Sequence, residues 1–148
     1  MTPSNSATRP KPLPIKTINH VARITKRVEQ SRDFYRDVLG FREVKRPDFG
    51  FPGAWLYNYG VMIHLIHDDD APDPDGEIQT RYDHLALHTD DMDAAEQLLN
   101  EHGIAYRKNV VAHTGLVQLF CRDPDGHHVE LGTYPPTPPF VDDDDSDG

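Results

Sequence analysis

The chain has 148 residues, 15 Lys and Arg against 25 Asp and Glu, and a formal net charge of -10. That length suits one compact domain, and the single cysteine, Cys121, excludes an internal disulfide framework and a cysteine-based zinc site. No apolar run approaches the roughly 20 residues that span a bilayer, and the negative total argues against a nucleic-acid footprint, which needs clustered positive charge.

The leading 14 residues hold four prolines and little apolar content, so residues 1–15 are expected to be disordered. They contain no apolar stretch of the secretory type, and a cytoplasmic location is expected. Charge is uneven along the chain. Residues 1–46 carry 11 basic and 4 acidic side chains, whereas Asp68 to Glu77 alone holds six acids and Asp142 to Asp147 five. Acidic blocks of this kind repel themselves and stay solvated. The folded part is therefore expected over 16–134. Module one is 16–67, an acidic linker is 68–80, module two is 81–134, and 135–148 is a disordered acidic tail.

Module one opens on a short strand, Ile18 to Ala22. Ser31, Phe34, Tyr35, Val38 and Leu39 then recur at i, i+3, i+4, i+7 and i+8, one face of a helix, with Gly40 at its C′ position. Strand-like runs follow over Phe41–Lys45, Ala54–Tyr59 and Val61–Ile66, the last two joined by a tight Tyr59-Gly60 hairpin. Module two opens in the same way, with Tyr82 to Ala86. Asp91 is a good N-cap, Met92, Ala95, Leu98 and Leu99 form an apolar helix face, and Gly103 closes it. Three more runs follow, Ala105–Val111, Leu116–Arg122 and His128–Thr133, with Asp123-Pro124-Asp125-Gly126 as the turn between the last two. Each half reads strand, helix, strand, strand, strand, which makes an α+β protein of two similar modules.

Nine histidines is a high count for this length. Four positions match between the modules. His20 and His84 lie on the first strand of each, and His64 and Glu130 on the fourth. His64 lies within Val61-Met62-Ile63-His64-Leu65-Ile66 and Glu130 within Val129-Glu130-Leu131, where a lone imidazole or carboxylate is costly to bury without a partner. One divalent metal would partner all four. Three imidazoles and a carboxylate suit Zn, Ni, Co, Fe or Mn and not Ca. Trp55 and Tyr57 alternate on one strand, Gln118 and Phe120 on another, so each pair shares a face and would contact substrate if that face lines the groove. His67, His88, His102, His113 and His127 carry no comparable case, and His128 is expected to point away from Glu130. Cys121 is expected to be buried and unreactive.

These stretches resemble the vicinal oxygen chelate superfamily. Within it, the glyoxalase I (lactoylglutathione lyase), bleomycin-resistance and dioxygenase group is nearest. The resemblance rests on Asn19-His20-Val21-Ala22, the run Ser31 to Phe41, Phe51 to Leu56, Ile63-His64-Leu65-Ile66, Asp83-His84-Leu85-Ala86 and Arg122 to Leu131. It implies two βαβββ modules forming a curved mixed sheet around a metal-binding groove, with His20, His84 and Glu130 as ligands. His64 falls where glyoxalase I carries a glutamate that takes part in proton transfer, so His64 or Glu130 is the implied catalytic base. The implied activity is a metal-dependent lyase or isomerase acting on a small oxygenated substrate through an enediolate. An Fe(II) or Mn(II) extradiol-type dioxygenase and a non-catalytic, drug-sequestering protein are the alternatives. A homodimer is implied, with the metal site either within one chain or shared by two.

Overall fold

The computed structural model describes residues 9–141; the expectations for residues 1–8 and for the acidic run 142–148 lie outside the described residues. Module one folds as β1 (His20–Thr25), α1 (Val28–Asp33), β2 (Arg42–Val44), β3 (Gly53–Asn58) and β4 (Val61–His67). Module two repeats it with β5 (His84–His88), α2 (Met92–Glu101), β6 (Tyr106–Val110), β7 (Val117–Arg122) and β8 (His128–Gly132). The two sheets have the same order, β1-β4-β3-β2 and β5-β8-β7-β6, and in each the first strand runs parallel to the fourth.

The first helix differs from the simple periodic reading. After Asp33 it widens into a π-helical turn, Phe34–Val38, in which Leu39 N–H reaches Phe34 C=O. This turn keeps Phe34, Tyr35 and Leu39 together on the core side. Gly40, at φ +83°, then reverses the chain. In α2, Asp91 caps the Ala94 N–H at 3.0 Å, and Leu99 is buried, but Leu98 is half-exposed rather than part of the packed face. Tyr59 and Gly60 both take positive φ, 54° and 76°, which is the twist a two-residue hairpin needs.

Period-two alternation assigns each strand residue to a face. Ala54, Leu56, Ile63 and Leu65 of module one join Leu119, Cys121 and Val129 of module two, with Phe34, Tyr35, Leu39, Phe41 and Leu99, in one core. The opposite faces carry the candidate site.

The modules are tied by buried polar groups as well. The Asp123–Gly126 turn projects into module one, where Asp125 accepts from Thr25 Oγ1, Ser31 Oγ (2.7 Å), Lys26 N–H (3.1 Å) and Arg27 (3.0 Å). Tyr35 O–H donates to Asp123 at 2.9 Å. The acidic link carries tethers that the sequence did not reveal. Asp73 pairs with Lys26 and Arg27, Ala71 and Ile78 are buried, and the carbonyls of Asp75 and Gly76 accept from Arg122. The link is solvated as expected, since Asp69, Asp70, Asp73, Asp75 and Glu77 are exposed, but the basic residues at the start of α1 and on β7 hold it down.

Candidate metal centre and substrate groove

The register decides which candidates share a face. Ala22 pairs with His64 and Ala86 pairs with Glu130, so in each module the donor of the fourth strand lies beside the alanine two residues after the first-strand histidine. An alanine at that point leaves the diagonal between the two donors open. His20 and His64 are in contact, their rings stacked at 3.8 Å between centroids. His84 Nε2 lies 3.7 Å from Glu130 Oε2. The structure thus brings the four candidates together as two pairs. Among the described residues, no three His, Cys, Asp or Glu side chains of one chain converge as a metal site.

The nitrogens are arranged as ligation requires. His84 Nδ1–H donates to Tyr82 C=O at 2.6 Å, and His20 Nδ1 bonds Asn19 Oδ1 at 2.7 Å, leaving each Nε2 with its lone pair. His64 Nε2 is buried and has no hydrogen-bond partner. Burial lowers the His64 pKa, and His20 and Arg46 lower it further, which favours the neutral ring. These free lone pairs, with one buried carboxylate, fit a borderline divalent cation.

Glu130 is 4% exposed. It accepts from Gln118 Nε2 at 2.7 Å, and Gln118 is oriented in turn by Asn109 Nδ2 at 2.8 Å. Phe120 pairs with Glu130 across the strands and packs edge-on to His84 at 5.5 Å. In module one, Trp55 stacks on the other side of His64 at 4.2 Å, and Tyr57 is half-exposed on the same face.

Three residues have site contacts that the sequence did not reveal. Tyr134 follows β8, lies over Gly132, and its hydroxyl accepts from Gln118 at 3.3 Å. Burial raises the Tyr134 pKa, and the Glu130 carboxylate adds to the rise. Asn109 and Asn19 act by hydrogen bonding alone. No spacing rule marks any of them.

His128 corrects the sequence expectation. It pairs with His84 and is two residues from Glu130, so it belongs to the Glu130 face instead of pointing away. Its Nε2 accepts the Gln79 N–H at 3.0 Å, and burial, then Arg122, lower its pKa. His67 and His88 each hold a local partner, Asp69 and Asp90, and His127 bonds Ile24 C=O of module one. Cys121 is buried, which pushes its thiol up to about 12. A separate cavity of about 720 Å³ opens against Leu85, Leu87, Leu98 and Leu131 and contains none of the four donors.

Residues 17–131 match the family model of the glyoxalase/bleomycin resistance protein/dioxygenase superfamily. The chain belongs to this superfamily. It is 36% identical to glyoxylase I 4 of Arabidopsis thaliana over 128 residues, covering 81% of this chain and 72% of that protein. It is 30% identical to a lactoylglutathione lyase of Neisseria meningitidis serogroup B over 113 residues, covering 70% and 80%. A crystal structure of a glyoxalase family protein from Bacillus anthracis superposes with a TM-score of 0.67 at 22% identity, covering 84% of this chain and all of that one. The fold is thus shared over most of the chain.

Proposed function

We propose that the protein is a metal-dependent lyase or isomerase of the glyoxalase I kind. The observation that carries this reading is the identical diagonal in the two modules, His20 with His64 and His84 with Glu130. Two unrelated sheet faces have no reason to repeat donor, alanine and donor in the same register. The relatives named above support the same activity class.

His20, His64, His84 and Glu130 would hold one divalent ion, Zn, Ni, Co, Fe or Mn. When bound, such an ion supplies Lewis-acid stabilisation of negative charge on substrate oxygens. The chain's own residues do the rest. Glu130, buried and fixed by Gln118, or neutral His64, takes the proton beside the substrate carbonyl. Trp55, Tyr57, Gln118 and Phe120 line the two faces and bind the substrate.

Two copies complete the site. β1 and β5 are edge strands, each carrying one candidate histidine, and each alternates exposed with half-buried residues. A second copy laid along these edges covers them and brings a module-one pair to a module-two pair.

The test combines elemental analysis of gently purified protein with exchange in heavy water. Close to one transition-metal equivalent per site is expected. Solvent deuterium should enter α-hydroxycarbonyl substrates beside the carbonyl. No metal uptake on titration, or no exchange with any loaded metal, overturns the reading. Oxygen uptake with catechols would instead favour the dioxygenase alternative.

A further inference from the structure

Beyond the metal donors, the module-one face continues into the β2–β3 loop. Phe49 and Phe51 stack at 5.8 Å, and both rings are about half-exposed. Phe49 lies 5.9 Å from Trp55, which stacks on His64. An aromatic wall thus runs from the donor pair to the rim of the groove.

Arg46 lies on that wall. Its guanidinium carbon is 4.9 Å from the Phe49 centroid and 5.0 Å from that of Phe51. Gly53 makes this possible, because a Cβ there would meet Arg46 Cζ and Nε at 2.9 Å. Among the described residues no carboxylate oxygen lies within 4 Å of Arg46; Arg23, Arg42 and Arg81 also lack such a partner, and what sets Arg46 apart is the pair of rings beside it. A half-buried guanidinium held against two rings keeps its planar fork of N–H donors unspent. That geometry matches a carboxylate, which accepts two parallel N–H bonds.

We propose that Arg46 is the anion-recognition residue of the groove, and that the substrate carries a carboxylate on an apolar or aromatic body. This rests on the groove being the substrate site. It does not rest on the metal. The carboxylate would dock on Arg46, the apolar body along Phe49, Phe51 and Trp55, and the reacting oxygens would extend toward His64 and His20.

Trp55 is the chain's one tryptophan and reports on this wall directly. Chelator-treated protein is titrated with benzoate and with its neutral analogue benzamide, following Trp55 fluorescence. Benzoate should bind saturably and about tenfold or more tighter than benzamide. Arg46→Gln should abolish the preference while leaving the melting temperature and metal uptake unchanged, and Arg46→Lys should restore part of it. Equal binding of the two probes, no saturable benzoate signal, or an unaltered preference in Arg46→Gln overturns the proposal and leaves Arg46 as a cover for two phenylalanines. Because the titration is metal-free, it can fail while metal uptake and exchange succeed, and the reverse.

Discussion

Glu130 shows how much one buried side chain depends on its supports. Its carboxylate is out of water, faces His84 at 3.7 Å, and is held by Gln118 at 2.7 Å. Glu130→Gln keeps the volume and removes the charge, so it should cost about 100-fold or more in activity, the range for a lost general base. Circular dichroism should show an unchanged fold. Gln118→Leu tests the support itself. It leaves Glu130 without its amide donor and should weaken metal affinity about 10- to 100-fold, as loss of an orienting partner does. A metal-binding titration checks it, and affinity equal to wild type would show that Gln118 only contacts substrate. These ligand candidates were legible because polar donors inside apolar strands are conspicuous. Tyr134, Asn109 and Arg46 were not, since a tyrosine after a strand or an arginine in a loop takes its role from neighbours that only folding supplies.

Among the elements, the β7–β8 turn does more than reverse the chain. Asp123-Pro124-Asp125-Gly126 was legible as a turn from its composition, but not as the plug that joins two modules. Nothing local to Asp125 reveals that Thr25, Ser31, Lys26 and Arg27, about a hundred residues away, will surround it. The same limit hid the link 68–77, whose acids read as repelling one another until Lys26 and Arg27 met Asp73. It also hid the π-helical turn, since the apolar spacing of Ser31 to Leu39 fits either winding. Asp125→Ala takes the buried acceptor from the Thr25 and Ser31 hydroxyls and the Lys26 N–H, while Arg27 keeps Asp73, and should cost about 3 kcal/mol, or roughly 10 °C of melting temperature. Burial pushes the Asp125 pKa up, but the hydrogen bonds outweigh it and hold the carboxyl below its usual 3.8. A depressed carboxyl stabilises the fold above its unfolded pKa and loses that contribution as pH falls through its folded pKa. The stability gap between wild type and Asp125→Ala should therefore narrow in acid, below about pH 4, and stay wide at neutral pH. Equal gaps at pH 3 and pH 7 in denaturant titrations would show that the loss is one of packing.

For the whole molecule, the division of donors between modules is the feature with most consequence. The sequence makes the repeat plain, through matched positions of His20 and His84, His64 and Glu130. It leaves open how many chains share a site, because register within a module says nothing of how two modules meet. In the fold, the buried turn locks module one to module two of the same chain on the core side, while among the described residues no further strand pairs with the outer edges of β1 and β5. Among the described residues the two pairs of one chain do not converge as a metal site, and on the dimer reading proposed above they would meet only across two copies. The proposed two-fold dimer would join module one of each copy to module two of the other. Mixing variants decides it. His20→Ala and His84→Ala should each be inactive alone. Refolded together in equal amounts, half the dimers are mixed, and each mixed dimer holds one site with all four donors and one lacking two. The mixture should therefore recover about a quarter of wild-type activity. If each site were built within one chain, every site in the mixture would lack a ligand, and no recovery would appear at any mixing ratio.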